Sequence, residues 1–217
     1  MARETGAVCK KCRREGVKLM LKGARCASEH CAMNRRAFAP GMHGMKRGKL
    51  TEYGIHLREK QKVKTFYGVL ETQFRKYYRM AEVAKGNTGK VLMSILERRL
   101  DNVVYRLGFA YSRAQARQLV AHGHILVNGS RVDIPSYLVR TGDVISVKNR
   151  KTSLEAVKLA VLENRNEVPD FLAKSDTEVP SGTVLRLPEA DDVAVPVDAR
   201  GESVPFQPQL IVELCSK

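Results

Sequence analysis

Tryptophan is missing from this 217-residue chain, and aromatic residues together make up only 6% of it. A core with so few rings has to be mainly aliphatic, and platforms for stacking bases are scarce. No apolar run approaches the ~20 residues that a membrane-crossing helix needs. The opening MARETGAVCKKCRREG has no apolar h-region, so no secretory signal is expected and the chain is expected to stay in the cytosol. Acidic residues are the other shortage, and a local one. Residues 1–80 carry 20 Lys+Arg against 6 Asp+Glu, and residues 81–150 carry 11 against 5. Residues 151–217 reverse the balance, with 7 against 12.

The net charge of +15 is therefore concentrated in the first two-thirds of the chain. A domain this cationic repels itself until a polyanion neutralises it. Nucleic acid is the usual polyanion, because each phosphate paired with Lys or Arg releases a condensed counterion. A membrane surface is the competing partner, but the charge is not confined to one amphipathic helix. Hydrophobic content of 43% is enough for a real core, and the length suits one large domain or two small ones.

Four of the five cysteines fall early, as Cys9-x2-Cys12 and Cys26-x4-Cys31. Two close pairs joined by a short loop can bring four thiolates around a structural Zn²⁺. Lys10, Lys11, Arg13, Arg14, Lys18, Lys22 and Arg25 surround them and are expected to lower the thiol pKa values. Two disulfides, four free thiols and an iron–sulfur cluster are the alternatives, and His30 is a candidate replacement ligand. Disulfides need an oxidising compartment, which the missing signal argues against. A closed four-ligand site has no open position for water, so such a metal would be structural.

Residues 34–50, NRRAFAPGMHGMKRGKL, are glycine-punctuated and basic, suited to close approach to a phosphate backbone. Val63, Tyr67, Leu70, Phe74, Tyr77 and Ala81 then recur on one helical stripe, which predicts core aromatics. Gly68 in mid-pattern predicts two helices meeting there. Thr88 is expected to cap a helix over 90–107, with Leu92, Leu96, Leu100, Val103 and Leu107 inward and Gly108 as its stop. Ser112 caps another to about Ala121. His124–Val127, the Asn128-Gly129 turn and Arg131-Val132 read as a hairpin, and Val144–Val147 as a further strand. Arg113, Arg117, His122, His124 and Arg131 are expected to converge in one basic patch. Thr152-x-x-Glu155 reads as a capping box, and Gln209–Leu214 as a last strand.

The run LERRLDNVVYRLGFAYSRAQARQLVAHGHILVNG, followed by IPSYL and GDVISV, closely resembles the RNA-binding domain named after bacterial small-subunit ribosomal protein four. That domain also occurs in some pseudouridine synthases, tyrosyl-tRNA synthetases and a small heat-shock protein. PGMHGMKRGKLTEYGIHLREKQKVKTFYGVLETQF resembles the ribosomal family's helical domain, and QLIVEL its C-terminal strand. The four-cysteine start resembles the family's zinc-bearing branch, with Cys9, Cys12, Cys26 and Cys31 in the ligand positions. Residues 189–208 and the Leu-Cys-Ser-Lys ending depart from the family pattern.

The resemblance implies an α+β architecture. A zinc knuckle and basic loop would occupy 1–45, a mostly helical RNA-binding domain 46–95, and a helix-plus-strand module 96–150. Residues 151–217 would be a short helix, an extended acidic tail and a strand packing back on the helical domain. It implies a non-enzymatic primary binder of small-subunit ribosomal RNA that grips a junction in the 5′ domain and nucleates assembly of the subunit body. Its neighbours would be ribosomal protein five and, at the entry channel, messenger RNA, where it would influence accuracy. The expected RNA contacts are Arg13, Arg14, Arg35, Arg36, Lys46, Arg47 and Lys49 early in the chain. Arg58, Lys60, Lys62, Lys64 and Arg75 follow on the helices. Arg98, Arg99, Arg113, Arg117, His122, His124 and Arg131 belong to the 96–150 module. Two other classes compete. An RNA-modifying enzyme would need a catalytic domain, and 151–217 offers no nucleophile or acid–base cluster. A zinc-dependent DNA regulator would need a recognition helix with a dimerisation element, and none is visible.

Overall fold

The structure, a computed structural model, describes residues 6–45, 48–49, 51–163, 167–175 and 179–216. Its early helices are α1 (Val8–Glu15), α2 (Ala24–Ala27), α3 (Ala32–Arg35), α4 (Glu52–Tyr67) and α5 (Glu71–Val83). Next come α6 (Thr88–Glu97), α7 (Leu100–Arg106) and α8 (Arg113–Ala121), then strands β1 (Ile125–Val127), β2 (Ser130–Arg131) and β3 (Val144–Val147). Helix α9 (Lys151–Glu163), strands β4 (Leu172–Ser175) and β5 (Ser181–Val184), and helix α10 (Pro208–Cys215) complete the order. The chain divides into two compact units: Met1–Met93 with Ala194–Lys217, and Ser94–Val193. The class is α+β, helical in the first unit and sheet-bearing in the second.

In the first unit the 63–81 stripe is core. Val63, Tyr67, Phe74, Tyr77 and Ala81 are buried, while Leu70 sits half-buried at the N-cap of α5. The break falls at Gly68, whose left-handed backbone (φ 63°) closes α4 and whose N–H reaches the carbonyls of Lys64 and Thr65. Thr51 caps the other end by accepting from the Gly54 N–H at 3.2 Å. The last residues form helix α10, not the strand expected over 209–214. Pro208 stands at its first turn, where a missing N–H costs nothing, and Ile211 is fully buried. This helix packs on α4. Phe206 sets its ring edge-on against Phe66 at 5.1 Å, and the Gln207 N–H donates to Glu59 at 3.0 Å.

The helix expected over 90–107 is two helices. Asn87, not Thr88, caps the first through its side chain, which accepts from the Lys90 N–H at 3.1 Å. The chain then leaves helical geometry at Arg99 (φ −65°, ψ 135°), which bridges to Leu138, and α7 starts afresh at Leu100. Every inward leucine and valine of the expected pattern is nonetheless buried. The sheet runs β2-β1-β3-β5-β4, all neighbours antiparallel. Asn128 (φ 51°) and Gly129 (φ 78°) both take positive φ, as a two-residue hairpin turn demands, and bring Val127 opposite Ser130. Thr152 lies inside α9 instead of capping it. Residues 172–184 add two strands to the sheet beyond the hairpin module. One apolar core, including Leu100, Phe109, Val120, Ile125, Ile145, Val157, Phe171 and Val184, holds helices to sheet.

Candidate nucleic-acid interface

The cations predicted to touch RNA separate into those engaged by the protein and those left to solvent. On α4 most are engaged. Lys60 and Lys64 meet the two oxygens of Glu71 at 2.7 and 2.6 Å, and Arg75 donates to the same carboxylate at 3.1 Å. Burial pushes the Glu71 carboxyl up, but these three donors outweigh it and hold the group at about 2. Lys62 pairs with Glu59 at 2.6 Å and Arg58 with Glu15 at 3.1 Å. Arg13 donates to the Phe38 carbonyl at 3.0 Å and lies over that ring, strapping the following loop to α1. Arg14, Arg35, Arg36 and Lys49 are exposed, and Arg75 keeps 69% of its side chain in solvent. Lys46 and Arg47 lie outside the described residues.

The second unit corrects the expected patch. Arg99 is 1% exposed and clamps Asp101 through two nitrogens, so it is a core residue. Asp101 also pairs with Arg117 at 3.5 Å. Arg113, 8% exposed, donates to Asn102 at 2.8 Å and stacks over Tyr105 at 4.5 Å. Asn102 in turn donates to buried Glu97 at 2.6 Å. An unpaired charge at these depths would be costly, and the network ties each of these groups to a hydrogen-bond partner. The four-residue spacing of Arg113 and Arg117 is real, but it faces the acidic end of α7. Arg98 is half-buried and donates to the Val139 carbonyl at 3.1 Å.

What remains outward is a compact cluster at the root of the hairpin. The rings of His122 and His124 lie 6.1 Å apart. Burial first, then the positive charges of His122, Arg150, Lys148 and Arg131, push the His124 pKa down. Its Nδ1 is 2.9 Å from the Ser153 hydroxyl. Arg131 is exposed, and its guanidinium lies over Gly123, where any Cβ would collide with it. Lys148 and Arg150 lie outside the patch that the sequence predicts. Their signal is the sheet register: Val147 pairs with Ile125, which carries Lys148 beside His124 and ties their backbones at 2.8 Å.

The cysteines lie on α1 (Cys9, Cys12), on α2 (Cys26) and at the N-cap of α3 (Cys31), all as free thiols. The Lys22 N–H points at the Cys26 sulfur at 3.3 Å, and a backbone hydrogen bond from Leu19 reaches Cys12. The expected lowering of thiol pKa values does not occur at Cys12 or Cys26. Burial pushes Cys12 up to about 11, and it also raises Cys26. The other three thiols are near enough to add to the rise at Cys12. Among the described residues, no three His, Cys, Asp or Glu side chains are gathered closely enough to hold a metal ion.

A helical unit and a sheet-bearing unit, each presenting exposed cations, have the character of a nucleic-acid-binding protein. Residues 3–97 match the ribosomal protein S4/S9 N-terminal domain, and residues 98–145 match the S4 domain. The chain is 53% identical to small ribosomal subunit protein uS4A of Alkaliphilus metalliredigens and 54% identical to that of Symbiobacterium thermophilum. It is 53% identical to small ribosomal subunit protein uS4 of a Thermoanaerobacter species, and each of these alignments covers the whole of both chains. The chain belongs to the uS4 family of small-subunit ribosomal proteins.

Proposed function

We propose that the chain is a structural, RNA-binding component of the small ribosomal subunit, working in the cytoplasm and catalysing no reaction. The observation that carries the reading is the outward cluster His122, His124, Arg131, Lys148 and Arg150, anchored on a hydrogen-bonded hairpin. Cations on a rigid support suit a structured RNA recognised by its backbone shape. The exposed Arg14, Arg35, Arg36 and Arg75 of the first unit give further places for phosphates to bind. In the finer reading, the RNA is a multi-helix junction of the 5′ domain, and gripping it nucleates the subunit body. Ribosomal protein five and messenger RNA at the entry channel are the neighbours of that reading, with decoding accuracy as its consequence. Chemical footprinting of small-subunit ribosomal RNA with and without the protein tests it. Protection at one multi-helix junction is expected; protection spread evenly along the RNA would sink the finer claim.

Cys9, Cys12, Cys26 and Cys31 are also proposed to hold a structural zinc ion. The support is the donor set itself, four thiols on α1, on α2 and at the N-cap of α3 that would draw together around the ion, with backbone N–H groups aimed at two of the sulfurs. Bound zinc would cross-link these elements and supply no reactive position. Metal analysis of protein purified without chelators should give one zinc per chain, and Cys9→Ser with Cys12→Ser should abolish it. A metal-free native protein would remove this proposal and leave the RNA reading intact.

A further inference from the structure

Between α1 and α4 lies a cleft of about 470 Å³, lined by Lys10, Lys11, Arg14 and Glu15 on one side and by Arg58, Gln61, Lys64 and Thr65 on the other. Val69 and Leu70 give it an apolar end, beside Glu71. The volume is that of a small-molecule site, where pockets span about 300–1,000 Å³. Its charge is unbalanced: five cations face two carboxylates. Glu71 is engaged by Lys60, Lys64 and Arg75, and Glu15 by Arg58 through one of its two oxygens. Lys10 and Arg14 make no ion pair among the described residues, and both are exposed on the α1 wall. An anion entering here meets two exposed cations that form no ion pair with the cleft's carboxylates.

The rest of the lining narrows the anion. Gln61 and Thr65 stand four residues apart, hence one above the other on α4, and offer an amide and a hydroxyl. A sugar hydroxyl is the natural partner for such groups, and Val69 with Leu70 suits the face of a base. A duplex presents its phosphates on a broad convex surface and cannot enter a recess of this size. A nucleotide splayed out of a loop or bulge can. We propose that this cleft seats one unstacked ribonucleotide of the bound ribosomal RNA, its phosphate held by Lys10 and Arg14. The proposal rests on the ribosomal RNA reading and adds a specific subsite to it.

The test uses the full chain and small-subunit 5′-domain RNA. Lys10→Glu with Arg14→Glu should weaken binding by about tenfold or more and lower the salt slope by about 0.7 for each single-strand phosphate no longer neutralised. Lys85→Glu with Lys90→Glu, an equal change of charge on exposed residues outside the cleft, should do markedly less. Because Lys10 lies between Cys9 and Cys12, Gln61→Glu is the second variant, placing a repelling carboxylate on the opposite wall. It should weaken binding in the same direction. Inorganic phosphate titrated into the full chain should shift the amide signals of Glu15, Gln61 and Thr65 in the native protein and not in Gln61→Glu. The proposal is overturned if the cleft and control variants weaken binding equally, if Gln61→Glu has no effect, or if phosphate shifts leave the cleft untouched. In each of those cases, native protein that still binds the RNA leaves the wider reading standing; failure of the native protein to bind removes both.

Discussion

The two units handle a similar surplus of positive charge in different ways. In the first, α4 sets Arg58, Lys60, Lys62 and Lys64 against three glutamates, of which Glu15 and Glu59 are buried and Glu71 stays about one-third exposed. In the second, Arg99 and Arg113 are taken into the interior, where Asp101, Asn102 and Glu97 hold them, while a separate set of cations is left outside. An exposed pair such as Arg75 with Glu71 contributes about 1 kcal/mol or less, because water screens it and side-chain entropy opposes it. It is a pair a phosphate can reach and exchange into. Buried pairs do not exchange, since breaking one strands a charge in the core. The first unit therefore keeps an exchangeable pair at its rim beside buried ones, and the second separates a buried arginine network from an exposed set of cations.

The strongest way to break this comparison is to cut the buried network. Asp101→Ala removes the partner of both Arg99 and Arg117, and it should destabilise the second unit by about 3–5 kcal/mol. Denaturant unfolding followed by a probe in residues 94–193 measures it; a loss below about 1 kcal/mol would mean that Arg99 is not buried as described. A smaller and different effect is expected at the outward cluster. Replacing Arg131, Lys148 and Arg150 with alanine should leave stability within about 0.5 kcal/mol. Ribosomal RNA affinity should fall and its salt slope flatten by about 2, at about 0.7 for each single-strand phosphate left without its cation. An unchanged slope in a salt titration would remove these residues from the interface.

The smallest effect concerns pH and the first unit. The Glu71 carboxyl titrates at about 2 in the folded chain, below its ordinary value near 4.5. The unfolded chain therefore binds that proton first, and the contribution of Glu71 is complete above about pH 4.5. It is lost as pH falls from there towards 2. Glu71→Gln should cost about 1 kcal/mol or less at pH 7, and the difference from the native protein should vanish by pH 2. Parallel stability curves for the two proteins from pH 5 to 2 would contradict the ion-pair account.

Much of the architecture was legible because periodicity and punctuation agreed. The 63–81 stripe, the break at Gly68, the Ser112 cap and the Asn128-Gly129 hairpin each have a local cause, and each stands where its residues predict. The misses have tertiary causes. Arg98 and Arg99 carry no helix-breaking signal; the helix stops there because Leu138 and Asp101 claim the backbone and side chain of Arg99. The tail QLIVEL alternates well enough for a strand, yet α4 offers it a surface that suits a helix. Charge was the least legible quantity at the site. An arginine written into a basic module looks the same whether it faces RNA or an aspartate sixteen residues away, as Arg117 faces Asp101. The register of β1 with β3 is what brings Lys148 beside His124.

The first unit is discontinuous, made of the first 93 residues and the last 24. During synthesis the two parts are separated in time by the whole of the second unit. Chains fold domain by domain as they emerge, so residues 94–193 can finish their core while α4 still lacks its cover. Until residues 194–217 leave the exit tunnel, Phe66 has no Phe206 against it, His56 no Glu213, and Glu59 no backbone donor from Gln207. The basic helical unit thus reaches its final form only after the sheet-bearing one has been made. A chain cut just before Phe206 would carry a finished second unit beside an unfinished first.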